Sequence, residues 1–202
     1  MAKGLSRLQL MRAGVLRGSE LQAKPRWEDS LWGLSALRGR LSLICGLGRV
    51  SAVAALVAQA QRQQQRCAWL VKTGFEPFAP DLQAAGIDIN SLMVARLDAT
   101  RSMGRAADLL ARSGGIGLVV VDSDELPSRV VLRRLAAHAE RYSMGVSVLA
   151  EQPSLDAAFS LAVQVSPAAD KPGCLRLDAL RDRGRNSLWQ SSEAFHALPG
   201  CP

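Results

Sequence analysis

The residues that could do chemistry gather at two points. The first is Gly46-Leu47-Gly48-Arg49-Val50-Ser51-Ala52-Val53, which follows an apolar run and opens an Ala- and Gln-rich stretch. Such a strand–turn–helix binds phosphate when the turn reads GxxxxGK[ST]. Backbone N–H groups then cradle the phosphates, the lysine neutralises them and the hydroxyl holds magnesium. Gly46 keeps the first position, but Ser51 stands at the second glycine, Ala52 at the lysine and Val53 at the metal-ligating hydroxyl. Gly48 and Arg49 complete the turn, and Arg49 is expected to offer its charge from the loop, not from the helix start. Removing one preorganised transition-state donor costs about 2.7–4 kcal/mol. Losing lysine and metal ligand together therefore predicts no useful turnover, no nucleotide cofactor and no resident metal.

The second point is Asp122, which ends the apolar run Leu118-Val119-Val120-Val121 where a magnesium-holding carboxylate would stand. Its hydroxyl partner is replaced by Val53, so the alternative is an aspartate that hydrogen-bonds the local turn with Ser123. Other reactive residues form no pattern. Cys45, Cys67, Cys174 and Cys201 show no CxxC spacing, and the first two sit in apolar runs as small core residues. His138 has no neighbouring cysteine or carboxylate cluster in the sequence, His196 lies near the chain end, and no nucleophilic triad can be assembled.

The elements that must position these residues alternate along the chain. Short apolar runs predict strands at 41–45, 68–71, 92–95, 118–121 and 146–149. Helices are expected at 50–65, 77–85 and 129–142. Another runs through Met103, Ala106, Ala107, Leu110 and Ala111, with Ser102 as its N-cap and Gly114-Gly115 as its stop. Late strands are expected at 162–165 and 175–177. The pattern predicts an α/β fold, an open and mostly parallel sheet with helices on both faces. It divides into an N-terminal basic helical arm at 1–30, a core at 31–180 and a flexible C-terminal tail at 181–202. Within that tail, 188–195 has apolar anchors suited either to a partner's groove or to packing on the domain.

The chain has 202 residues, 48% of them apolar and 4% aromatic, which excludes wholesale disorder. No apolar stretch approaches the roughly 18 residues of a membrane span, and a cytoplasmic protein is expected. Net charge is +7 and unevenly placed. Residues 1–66 carry eleven Lys and Arg against three Asp and Glu, whereas residues 67–202 carry fourteen against fifteen. In the first helix Leu5, Leu8, Val15 and Leu16 share one face, for a partner or for the chain's own core. Arg7, Arg12, Arg17, Lys24 and Arg26 are candidate contacts to DNA or an acidic partner, with a solvated helix as the alternative.

Together, the Gly46 turn, the Ala/Gln helix, Cys67-Ala68-Trp69-Leu70, and the segment Ala85-Gly86-Ile87-Asp88-Ile89-Asn90-Ser91-Leu92 resemble the RecA recombinase core in order and spacing. The likeness runs over about residues 35–180. Arg105-Ala106-Ala107-Asp108-Leu109-Leu110, leading into Ser113-Gly114-Gly115-Ile116-Gly117-Leu118, resembles the ImuA family of RecA-like accessory proteins from bacterial mutagenesis cassettes. That resemblance implies a role in the DNA damage response, with RecA, the adaptor ImuB and an error-prone C-family DNA polymerase as partners. It also implies that the N-terminal helix packs on a neighbouring subunit. The chain departs from RecA where a catalytic glutamate is expected, reading Val71-Lys72-Thr73-Gly74 with Glu76 displaced, and in the short interval after Asp122, which leaves little room for a DNA-binding loop. The segment 153–160, where the second such loop would lie, has no Lys or Arg. Two alternatives are a weak nucleotide-binding ATPase and a DNA-binding module working through the basic N-terminal third.

Overall fold

Apolar runs become the centre of one eight-stranded sheet in the computed structural model, which describes residues 31–194 apart from positions 75, 155, 170 and 172. The arm residues at 1–30, together with His196 and Cys201, lie outside the described residues. A short helix α1 (Leu34–Leu37) precedes β1 (Arg40–Cys45), and α2 (Arg49–Arg62) leads to β2 (Cys67–Lys72). Then come α3 (Ala79–Ala84), a 3-10 turn at Ile89–Ser91, β3 (Leu92–Leu97), α4 (Thr100–Ser113), β4 (Leu118–Asp122), α5 (Arg129–Tyr142) and β5 (Gly145–Ala150). The described residues end with β6 (Leu161–Pro167), β7 (Cys174–Asp182) and β8 (Gln190–Ala194).

The strand order is β3-β2-β4-β5-β1-β6-β7-β8. The first six are parallel, and β7 runs antiparallel to both β6 and β8. Strands β1, β2, β4 and β5 are buried almost throughout, because helices cover both faces. One face packs Ile44, Trp69, Val71 and Val120 against α1 and α2. The other packs Leu43, Leu70, Val121 and Val148 against α4 and α5. The connection from β1 to β2 crosses over β5 and β4, so Gly46 and Asp122 both reach the carboxyl edge of the sheet, the side where such folds bind ligands. No described helix is long and apolar enough to cross a membrane.

Two expectations are corrected and one open alternative is decided. Ser102 lies inside α4, which starts at Thr100 with Ala99 at the cap position, while Gly114 closes the helix with φ 67 as expected. Residues 181–194 are not a flexible tail: β7 extends to Asp182, and β8 adds a further edge strand. Strand β8 was hidden because its sequence, Gln-Ser-Ser-Glu-Ala, carries no apolar alternation. Of the two uses weighed for 188–195, packing on the domain holds for its described part, since Trp189 is buried.

A buried polar clasp fixes that ribbon. Arg40 Nη2 donates to Asp182 Oδ1 at 2.6 Å and to the Ser160 carbonyl at 2.7 Å, and Arg40 Nη1 donates to the Ala36 carbonyl at 3.3 Å. Trp189 Nε1 donates to Asp182 Oδ2 at 2.8 Å, and the Gly184 and Arg185 N–H groups donate to Asp182 Oδ1. The clasp thus joins the start of β1, the β6 entry and the β7–β8 turn.

Candidate active site

At the carboxyl edge the turn after β1 is closed, not open. Gly46 has φ 93, the left-handed region that favours glycine. A Cβ built on Gly46 would stand 2.3 Å from the Val165 carbonyl oxygen, and one on Gly48 would stand 2.7 Å from Val165 Cγ1 and 2.8 Å from Leu175 Cδ2. Both glycines therefore permit close approach to β6 and β7. The Gly48 N–H donates to the Val165 carbonyl at 3.4 Å and the Arg49 N–H to the Gly46 carbonyl at 3.3 Å. Two amides that a phosphate would need are thus spent on protein oxygens.

The helix also begins early. α2 starts at Arg49, so Arg49 is its first residue and not a loop residue as expected. Ala52 donates its N–H to the Gly48 carbonyl within the first turn, and Ala52 and Val53 are fully buried in the core. The positions where lysine and hydroxyl would reach phosphate therefore face apolar packing, and Ser51 is half-buried beside them. Arg49 folds back, with Nη1 donating to the Gly46 carbonyl at 3.2 Å and Nη2 lying 3.8 Å from Glu151 Oε1.

Asp122 ends β4 on the α2 face and is partly buried. Burial pushes its carboxyl above the usual range. The Arg49 charge opposes that shift, as does the Trp69 indole N–H, which completes no hydrogen bond of ordinary geometry. No side-chain hydrogen bond joins Asp122 or Ser123 to the following turn among the described residues, so the turn-bonding role is corrected. Trp69 was missed in the sequence because an indole within an apolar strand reads as core. Its nearness to Asp122 follows from the pairing of Trp69 with Val120.

Glu76 is occupied elsewhere. It accepts from the Gly74 N–H at 3.1 Å and pairs with Arg96 at 3.0 Å. Backbone N–H groups, its own and that of Gly74, hold its carboxyl below the usual value, with Arg96 adding to the effect. The segments where RecA-like mobile loops would lie are short. Six residues join β4 to α5, and the ten-residue link from β5 to β6 is tied by Arg129 to Asp156 at 2.8 Å and by Arg181 to the Asp156 carbonyl at 2.6 Å.

Elsewhere, burial raises the thiols of Cys45 and of Cys67, the latter to about 11, as befits inert core cysteines. His138 is not without a carboxylate: Asp108 on α4 comes to 3.3 Å of Nε2 without hydrogen-bond alignment. The candidate residues Leu5, Leu8, Val15, Leu16, Arg7, Arg12, Arg17, Lys24 and Arg26 lie outside the described residues.

Strand order, the antiparallel ribbon and the switch-point turn define a RecA-type α/β core whose phosphate cradle is filled by its own sheet. Comparison with known proteins agrees on the fold. Over 123 residues, covering 56% of this chain, it is 29% identical to the Protein RecA of Ruminococcus albus, and it spans only 30% of that relative's length. The crystal structure of the RadB recombinase superposes with a TM-score of 0.59 at 15% identity, covering 77% of this chain and 87% of that one. No protein-family model matches the chain.

Proposed function

We propose that the chain is a non-catalytic, RecA-like accessory protein of the ImuA type. In this reading it binds RecA, modulates its filament, and links it to ImuB and an error-prone C-family polymerase during translesion synthesis. One observation carries the reading: the turn that would cradle phosphate is packed onto Val165 and Leu175, with Ala52 and Val53 buried. A subunit with RecA's frame but no room for phosphate can share RecA's contacts without its hydrolytic cycle. Inserted in a filament, it caps or weakens the polymer.

The surface open to RecA on this chain is the outer edge of β3. It is one of the sheet's two edges left unpaired among the described residues, and Met93 and Val94 stand 50% and 42% exposed there. Leu109 on α4 is a further exposed apolar side chain. An unpaired strand edge is a template for another chain. In this reading the N-terminal segment with Leu5, Leu8, Val15 and Leu16 is the reciprocal arm.

The test is binding to RecA, with and without single-stranded DNA, at physiological salt. Association is expected, weakened at least tenfold by Leu8→Asp with Val15→Asp or by Met93→Asp with Val94→Asp. A folded wild-type chain that ignores RecA would remove the main partner. Calorimetry with ATP and magnesium should give no binding heat. A saturable heat would favour the second reading, a weak nucleotide-binding protein using Arg49 beside the perturbed Asp122.

A further inference from the structure

The division of charge by sequence hides a sharper division in space. At the carboxyl edge cations are paired with acids: Arg49 with Glu151, Lys72 with Asp124, Arg96 with Glu76 and Arg129 with Asp156. The opposite, amino-terminal edge is different. α2, α4 and α5 all end there, bringing Arg62, Arg112 and Arg141 in their last turns. Arg38 precedes β1, Arg66 precedes β2, and Arg183 follows β7 at the same edge. All six are exposed, against two exposed acids there, Asp88 and Glu140. None of the six forms an ion pair among the described residues, and Arg141 lies over the Tyr142 ring at 5.4 Å.

Backbone hydrogen bonds lace these loops into one rim. The Gly117 N–H donates to the Arg66 carbonyl at 2.9 Å, Gly145 to Gly117 at 2.8 Å, and Gly39 to Met144 at 3.0 Å. Beyond β1, Ser160 donates to Leu41 at 3.0 Å and Arg183 to Ser160 at 2.9 Å. Arg38, Arg66 and Arg183 are thus carried by a fixed row of strand ends, with Arg62, Arg112 and Arg141 on the helix ends beside it. From β2 to β7 the row spans about 24 Å at roughly 4.8 Å per strand, the length of about seven base pairs at ~3.4 Å each. At the β2 end a groove of about 680 Å³ runs between Arg62 and Arg66, past Gln61 and Gln65.

We infer that this amino-edge rim is a binding face for the phosphate backbone of duplex nucleic acid, separate from the turn at Gly46 and from the β4–α5 and β5–β6 links at the other end of the strands. The cations are all arginine, whose planar fork matches phosphate oxygens in pairs. Glutamine, serine, asparagine and glycine fill the gaps, and such groups contact phosphate and sugar. Exposed large apolar side chains on this edge, Met93 in the groove beside Arg66, Leu109 one turn before Arg112 and Leu188 in the turn after Arg183, are scattered singly, and the strand-end loops between Gly117 and Ser160 expose none among the described residues. A protein partner would need such anchors at the centre of its interface. The one aromatic not buried on this rim among the described residues, Tyr142, is covered by Arg141 and offers no open stacking platform for unpaired bases. This face does not depend on the RecA reading.

The full chain should bind a labelled 16-base-pair duplex, with log affinity falling linearly against log salt between about 50 and 200 mM. Arg62→Ala with Arg66→Ala, and separately Arg112→Ala with Arg183→Ala, should each reduce the slope by about two and weaken binding at least tenfold at the lower salt. Arg101→Ala with Arg133→Ala, toward the other edge, should change neither. Unchanged melting temperatures establish that these surface variants fold. Rim variants that match wild type would assign any binding to residues 1–30 and overturn the proposal. So would an absence of duplex binding at the lower salt, a tighter hold on single strands than on duplex, or equal competition by polyglutamate, which marks an acidic-protein face.

Discussion

Asp122 shows what a single side chain retains when its site is filled. Its carboxylate is partly removed from water, has Arg49 as its nearest favourable charge, and lacks the hydroxyl that would share a metal. A carboxyl whose folded pKa lies above its unfolded value costs stability once pH exceeds the unfolded value, and the cost is complete above the folded one. Asp122→Asn removes that cost. Its melting temperature at pH 7 should therefore exceed that of wild type, with the gain shrinking as pH falls through the raised folded value and essentially gone below about pH 4, where the unfolded aspartate is protonated too. Wild type melting higher at neutral pH would mean that the carboxylate has a compensating partner. In the non-catalytic reading proposed above, Asp122 lowers stability with no catalysis in return.

At the scale of elements, the decisive object is the start of α2. Substitution at Ser51, Ala52 and Val53 is visible in the sequence, but closure of the turn depends on Val165 and Leu175, more than a hundred residues away. No local pattern reports such contact. The parallel strands were legible because burial on both faces demands continuous apolar runs, and α4 because its register is strongly amphipathic. β8 was illegible because an edge strand that is half in solvent needs no apolar code. Writing the motif back does not reopen the site. In the variant Ser51→Gly, Ala52→Lys, Val53→Thr, the new lysine starts from a position with no exposure, and an uncompensated buried charge costs roughly 3–5 kcal/mol. Denaturant melts should show that loss, and calorimetry should still detect no ATP. Recovered nucleotide binding would show that the turn can lift off β6.

For the whole molecule, the question is what holds the two ends of the sheet in one body. Arg40 and Asp182 are 142 residues apart, and the clasp they form with Trp189 anchors the β7–β8 ribbon to the first strand. Burial alone would raise the Asp182 carboxyl, but hydrogen bonds from Trp189 and Arg40, together with the Arg40 charge, outweigh it and hold the group below the usual value. A depressed carboxyl stabilises the fold above its unfolded pKa of about 3.9, and that contribution fades as pH drops through this value toward the folded one. Glu76, Asp88 and Asp156 are also held low, but on loops near the surface, where solvent screening leaves them little weight. Acid sensitivity should therefore reside in the clasp. Asp182→Asn leaves Arg40 charged and unpaired in the interior, which should cost roughly 3–5 kcal/mol at pH 7. The gap to wild type should narrow as both are titrated below about pH 4. Amide exchange should find β8 and the 183–189 turn opening first in the variant, because their attachment runs through Asp182. If wild type and variant instead lose stability in parallel as pH falls, another carboxylate governs acid unfolding, and β6 pairing alone suffices to keep the ribbon in place.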